Sequence, residues 1–471
     1  MSNPTSLYDD SSLDSILQRA LMLKGHSLRN KLTAPQIAEI LNYPENAGKG
    51  KVGQLVELFH FGIAANSLAQ PDFPKVGAEL KTTPLKQTGS GLRSKERLVL
   101  NIIDYEKENV ASFEASSFWK KNKLLLLMFF LWIKGQLPID HVFKDIKYWD
   151  FASKLKDLEI IRGDWEIIAK KIAENRAHEL SEGDTNYLGA CTKGATAESS
   201  YRRQRDRGAP PAKQRAYSLK SKYVNMMLDP ALLRGMEPIV KRPEELRTNT
   251  LEELVTGRFS NFYGKNVDDI VDAVGARDLN PAAKSFYASL TKVILGISPS
   301  KEIEEFEKAD ITVRTVRLKA DGLPKESVSF RHFDFLELVN EEWETSDFLT
   351  ELERRFFFVF YKYTGNQLFL RRVQFWTMPI GDIEVAKRVW SRTRELLLAG
   401  RIVSSVTRSG IRRTYFPSSK ENPVGHVRPH GRDRDDMLPL PVPDRLTGMQ
   451  NYTKQAFWLN ASYIQDQIAR S

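Results

Sequence analysis

Asp72, Glu79 and Lys81, in the stretch PDFPKVGAELKTTPL, are residue types that can together hydrolyse a phosphate ester. A strand rises about 3.4 Å per residue and alternates faces, so Glu79 and Lys81 emerge on one side roughly 7 Å apart. Asp72 lies on the preceding extended segment, and Pro74 and Gly77 favour a turn that folds its carboxylate back beside Glu79. Two carboxylates and a backbone carbonyl such as that of Leu80 form a hard-oxygen site suited to Mg²⁺, which favours phosphate oxygens. The Lys81 ammonium can orient or help deprotonate a water aimed at phosphorus, and Glu57, on the helix before, can complete the site or hold a second ion. The spacing alone is weak: D-x6-E-x-K arises by chance roughly once in ten chains of this length. It also fits an exposed ion pair on a strand face.

A second stretch repeats the first at a displacement of 233 positions, EEFEKADITVRTVRL, with Glu305, Thr312 and Arg314 where the first has Asp72, Glu79 and Lys81. Thr312 cannot replace a metal-binding carboxylate, and a guanidinium is too basic to accept a proton. The elements around the two stretches repeat in the same order. An opening amphipathic helix near 12–25, with Ser12 or Asp14 as cap and Leu13, Ile16, Leu17 and Leu21 on one face, precedes a glycine-rich entry into a helix carrying Glu57. A strand at RLVLNIIDYE, a buried strand at 124–133, the segment VFKDIKYWDF and a helix from about Asp164 follow. In the second half TLEELVTGRFSNFYGKNVDDIVDAV matches the opening, with Asp272 near the place of Glu57. RRFFFVFYKY then matches the buried strand, VQFWTM matches IKYWDF, and AFWLNASYIQ matches AYSLKSKYVN. A long loop is expected at the same place in each copy, 182–215 and 417–453. The repeat implies two mixed α+β domains, 1–235 and 236–471, with a boundary in the Pro-containing stretch near 230–245.

Composition is that of a folded, basic protein: 471 residues, 41% hydrophobic, 28% charged and a formal charge of +10. That balance suits a polyanionic partner without proving one. The single cysteine, Cys191, excludes an intramolecular disulfide and a Cys-based zinc site and fits a reducing, cytoplasmic setting. No secretory pattern opens the chain. The longest apolar run is ten residues, where a membrane span needs about 20.

Taken together, KGKVGQLVE at 49–57, PDF at 71–73 and GAELKTTPL at 77–85 resemble the MutH family of DNA endonucleases. That family holds the methyl-directed mismatch-repair nicking enzyme and the type II restriction enzymes that cut GATC, and has the PD-(D/E)xK restriction-endonuclease-like fold. The resemblance implies Mg²⁺ held by Asp72, Glu79 and the Leu80 carbonyl, catalysis by Asp72, Glu79 and Lys81, and an auxiliary acidic role for Glu57. The two-copy restriction enzymes account for nearly the whole chain and the single-copy repair protein for its first half. The implied partner is double-stranded DNA, at two sites where the second copy, lacking the catalytic residues, binds as an allosteric domain. Both a solution monomer and a DNA-induced dimer fit. A nicking enzyme of mismatch repair and a non-catalytic DNA-binding protein are the competing readings.

The same resemblance assigns DNA contacts. Lys51 lies in the glycine-rich entry to the Glu57 helix, and Lys121 and Lys123 stand just before the buried strand, as phosphate contacts or as strand-end solubilising charges. Lys193 stands at a basic position of the groove-reading loop, which also carries Arg202, Arg203, Arg205, Arg207, Lys213 and Arg215. In the second copy GHVRPHGRDRD supplies Arg428 and His430; Pro429 argues against a metal-binding helical pair of His426 and His430. Tyr217 and Trp458, on the matched AYSLKSKY and AFWLNASY segments, fit base contact or core packing.

Overall fold

Leu124–Leu131 is buried along almost its whole length because it has a strand on each side and packed layers on both faces. In the computed structural model, which describes residues 7–42, 51–64, 70–89, 91–108, 111–193 and 200–469, the chain divides into two units. The first comprises Met1–Leu251 and Lys301–Asp310; the second comprises Glu252–Ser300 and Ile311–Ser471. Sequence repetition and packing thus divide the chain differently, since a ten-residue piece of the second repeat packs in the first unit.

The first unit opens with α1 (Leu13–Leu21), α2 (Ala34–Leu41) and α3 (Lys51–Leu55). The Ser12 hydroxyl caps α1 by accepting from the Ser15 amide, with Asp14 in the first turn and Arg19 in the last, both favourable to the helix dipole. Thr33 and Gln36 form a capping box around α2, with Pro35 in its first turn. Then come β1 (Ala78–Thr88), β2 (Gly91–Ser94), β3 (Leu98–Ile102), α4 (Ser117–Asn122), β4 (Leu124–Leu131), β5 (Phe143–Asp150) and α5 (Leu155–Ala173). Next are β6 (Leu188–Thr192), the short ribbon of β7 (Tyr201–Arg202) and β8 (Ala212–Lys213), β9 (Arg215–Leu219) and α6 (Ser221–Leu228). One sheet runs β2-β1-β4-β5, with β1 parallel to β4, and a second runs β3-β9-β6. Ala78, Leu80, Leu126 and Met128 face a core shared with Ile16 and Phe73. That leaves Glu79 and Lys81 on the opposite face of β1.

The second unit repeats these pairings. Ile311–Leu318 lies parallel to Arg355–Thr364, which is antiparallel to Gln367–Trp376, and Gln455–Leu459 is flanked by Val328–Phe333 and Gly425–Pro429. Its long helix, Ile380–Leu398, has 19 residues, as does α5. Among the described residues no helix is long and apolar enough to cross a membrane.

Three expectations need correction. The 182–215 stretch is not one long loop, because β6 pairs with β9 over five residues and β7 pairs with β8. Likewise 417–453 contains the strands Gly425–Pro429, Met437–Pro439 and Asn451–Thr453. The helix expected from about Asp164 begins at Leu155, whereas the helix expected to carry Glu57 is present, α3 being continued by the π-helical run Val56–Phe61. The glycine-rich entry at 48–50 and residues 194–199 of the basic stretch lie outside the described residues.

Candidate active site

The turn between Asp72 and β1 is closed by Phe73, whose carbonyl accepts from the amides of Gly77 and Ala78 while its own amide donates to Ala78. Gly77 has φ +70°, the left-handed region a residue with Cβ rarely enters. Phe73, 2% exposed, anchors the turn in the core. The two acids then lock each other: the Asp72 amide donates to Glu79 Oε2 at 3.1 Å, and the Leu80 amide donates to Asp72 Oδ2 at 2.9 Å. Lys81 Nζ donates to Glu79 Oε1 at 2.5 Å, and Lys121 Nζ, from α4, lies 3.5 Å from the same oxygen.

Glu79 is only 1% exposed. Burial pushes its carboxyl above the usual range, with Lys81 opposing and Asp72 reinforcing the shift. Glu57 is also raised, first by burial and then by Asp72, against the pull of Lys81 and Lys121. The four charged groups and Glu57 therefore share one electrostatic site. Gly53 permits this approach, since a Cβ there would stand 3.1 Å from Thr82 Oγ1 and 3.9 Å from Glu57 Oε1.

As they stand, the carboxyl oxygens are engaged by Lys81 and by backbone amides, and among the described residues no group of three or more His, Cys, Asp or Glu is arranged to hold a metal ion. The donor chemistry nevertheless fits a hard divalent cation. Two adjacent acids, of which Glu79 is buried and is raised further by Asp72, gain from a dication that takes few protein ligands.

The DNA-contact candidates separate by location. Lys51 and Lys193 are half-buried at the start of α3 and the end of β6. Lys123 packs against Gly77, its Cε 3.4 Å from where a Cβ would stand. Arg215 and Tyr217 are corrected. Arg215 is 7% exposed with Nη1 donating to the Ala190 carbonyl at 2.6 Å, and Tyr217 is 0% exposed with its hydroxyl on Glu108 Oε1 at 3.0 Å. Both sit inside the β3-β9-β6 layer, where neither reaches a DNA surface in this conformation. In the second unit Arg428 and His430 are exposed beside Trp458, the guanidinium 4.6 Å and the imidazole 5.6 Å from its ring. His426 is instead buried, with Nδ1 2.6 Å from Asn460 Oδ1.

At the positions matching the acids and lysine the second repeat has a different arrangement. Asp310, at the place of Gly77, keeps the left-handed conformation with φ +51°. Glu305 belongs to the first unit, its two oxygens accepting from the amides of Ile239 and Val240 at 2.9 Å each. Thr312 brings no charge. Arg314 Nη2 donates to the Ser329 carbonyl at 3.2 Å, and burial pulls its pKa down. Asp272 is exposed and paired with Arg277 at 2.6 Å. Sequence reasoning did not single out Glu108 and Gly53, whose neighbours are distant in the chain.

Similarity to known proteins follows the repeat. The profile of the DNA mismatch repair enzyme MutH matches twice, at 61–164 and 295–378, so the MutH-like fold occurs twice. The type II restriction enzyme Sau3AI of Staphylococcus aureus is 37% identical over 455 residues, covering 89% of this chain and 92% of its own. The DNA mismatch repair protein MutH of Shewanella amazonensis is 31% identical over 40% of this chain and 80% of its own, and that of Shewanella oneidensis 26% identical over 48% and 97%. Full-length similarity to a restriction enzyme, a twice-matching profile and a clustered Asp-Glu-Lys set place the chain in the MutH family of DNA endonucleases, beside its type II restriction enzymes.

Proposed function

We propose that this protein is a Mg²⁺-dependent type II restriction endonuclease that cuts both strands of double-stranded DNA at a short site, GATC. The observation that carries the chemistry is the interlocked set Asp72, Glu79 and Lys81, with Lys121 on the same Glu79 oxygen. Family membership supports a metal-dependent mechanism in general, and the hard-oxygen donors favour Mg²⁺. Asp72, Glu79 and the Leu80 carbonyl would hold the ion, which supplies charge neutralisation at phosphate and a more acidic water. Lys81 then orients the attacking water as an ammonium, or takes the water's proton as the neutral amine after giving up its own. Lys121 faces the phosphate oxygens, and Glu57 tunes the field of both acids. Water oxygen bonds to phosphorus, one P–O ester bond breaks, and the leaving oxygen takes a proton. Digesting DNA of known sequence with Mg²⁺ and sequencing the ends tests site and cut together; ends scattered over many sequences would refute specificity. Asp72→Ala is expected to abolish cleavage and spare DNA binding in Ca²⁺.

The roles of residues 1–235 and 236–471 follow from the unequal repeats. The first is read as the catalytic domain. The second, with Thr312 and Arg314 in place of Glu79 and Lys81 and with Arg428, His430 and Trp458 grouped together, is read as a DNA-binding domain that stimulates cleavage by holding a second site. A plasmid with two sites should then be cut faster than one with a single site. The matches to mismatch-repair proteins favour nicking as the second reading, and strand-resolved products on a duplex oligonucleotide distinguish the two. A cytoplasmic location goes with restriction of incoming DNA.

A further inference from the structure

The two repeats differ at a second pair of positions, away from the acids. In the first unit β3 is aligned on β9 by the pair Leu98 and Leu219; in the second, Val328 is paired with Leu459 in the same way. The shift of 230 positions from Leu98 to Val328 persists through the following turn, from Phe113–Ala115 to Trp343–Thr345, and through α4, from Ser117–Asn122 to Asp347–Leu352. Capping is the same in both: Ser116 and Ser346 each donate to the carbonyl three residues back and accept from the amide three residues on. The shift of 230 is the same on both sides of residue 108 and pairs Glu108 with Leu338; the strand partners Leu219 and Leu459, 240 positions apart, pair Tyr217 with Phe457.

Glu108 is 2% exposed, and its Oε1 alone accepts two bonds, from the Tyr217 hydroxyl at 3.0 Å and from the Ser117 amide at 3.2 Å. Ser117 is the first residue of α4, and Lys121 is one turn further on the same face. The far end of α4 is also tied by polar groups: Asn122 Nδ2 donates to Asn101 Oδ1 at 2.8 Å, and Asn101 donates to Ser117 Oγ at 3.0 Å. In the second unit the corresponding residues are apolar at three of these positions, Leu338, Phe457 and Leu352, all within one core cluster. An acid buried this deeply costs stability that Leu at the same place does not. The copy that carries Lys121 opposite Glu79 has the acid; the copy without the catalytic set has leucine.

We propose that Glu108 and Tyr217 are positioning residues for cleavage. They fix the start of α4 to the β3-β9-β6 layer so that Lys121 stays against Glu79. The inference rests on Glu79 and Lys121 belonging to the active site. Displacing a catalytic group by about 1 Å can cost on the order of a hundredfold in rate.

The second repeat supplies the test, because Leu338, in the helix Phe335–Asn340, and Phe457 belong to one apolar core cluster at the matching positions. Glu108→Leu with Tyr217→Phe in the full chain is expected to keep the thermal midpoint and DNA binding in Ca²⁺, while single-turnover cleavage falls about tenfold to a hundredfold. Lys121→Ala should cost less in that background than in the native chain, since Lys121 is already out of place. Glu108→Gln, which keeps the accepting oxygen, should restore most of the rate. Native cleavage by the double variant, or losses from Lys121→Ala that multiply independently, would overturn the proposal. Tyr217→Phe alone, lacking one oxygen atom, is read in the same way should the double variant fail to fold. Asp72→Ala separates the two levels: cleavage by that variant refutes the active-site assignment, whatever the pair does.

Discussion

Glu79 meets two opposing demands at one atom, because its Oε1 faces two ammonium groups while the rest of the carboxyl is buried. Lys81 shields that charge, and in the proposed mechanism it serves the attacking water. Lys81→Met should lower single-turnover cleavage by about 10²–10⁴-fold with DNA binding in Ca²⁺ retained. Lys81→Arg should fail as well, since a guanidinium stays protonated and demands a planar, forked partner. The second repeat already has that arginine. Restoring its residues by Thr312→Glu and Arg314→Lys in an Asp72→Ala chain is expected to yield no cleavage in a plasmid assay. Glu305, the third residue such a site needs, has both oxygens on the amides of Ile239 and Val240. Cleavage by that variant would mean the second repeat lacks only those two residues.

At the scale of elements, Glu57 is carried by the π turn Val56–Phe61, and His60 pins that turn to α1. His60 Nε2 lies 2.8 Å from the Arg19 carbonyl, and Arg19 Nε and Nη2 donate back to the His60 carbonyl at 3.0 and 2.8 Å. Burial lowers the imidazole to about 4. A folded pKa below the unfolded value of about 6.5 means that protons bind the unfolded chain first. This stabilisation is complete above about pH 6.5 and is lost as pH falls towards 4, by at most about 3 kcal/mol. Urea unfolding of the native chain and of His60→Gln between pH 7.5 and 4.5 should show a flatter profile for the variant; parallel profiles would refute it. Elements with a strong local pattern were legible in the sequence: the ten-residue apolar run around β4, and the Pro74–Gly77 turn that returns Asp72 to Glu79. Those depending on distant partners were not. The small residues of β6, LGACT, have little strand preference of their own and become a strand by pairing with β9. Asp164 lies in the middle of α5, its carboxyl accepting from the amides of Asn186, Tyr187 and Leu188, more than twenty residues away. The first half of α5 interleaves Lys, Asp, Glu and Arg with its apolar positions, which obscured where the helix starts.

At the scale of the molecule, the chain leaves the second unit at Ser300, gives ten residues to the first, and returns at Ile311. Lys308 is what makes that excursion costly to undo. It is 5% exposed, and its Nζ donates to Asp157 at 2.7 Å and to Glu304 at 2.8 Å, while the Tyr223 hydroxyl donates to Asp157 at 3.0 Å. Burial alone would lower the Lys308 pKa, but the two carboxylates outweigh it and raise it. Removing one member of a buried ion pair leaves the other charge without compensation, at about 3–5 kcal/mol. Lys308→Ala should therefore destabilise the full chain by about that amount in urea unfolding at neutral pH. Adding Asp157→Asn and Glu304→Gln to Lys308→Met removes all three charges and keeps an oxygen for Tyr223, so it should recover much of the loss. Equal stability of Lys308→Ala and the native chain would mean the pair only fills space. The segment at the place of the Asp72 turn thus has a structural task in the first unit, which gives its acid, Glu305, a role of its own although Thr312 and Arg314 stand where Glu79 and Lys81 do in the first repeat.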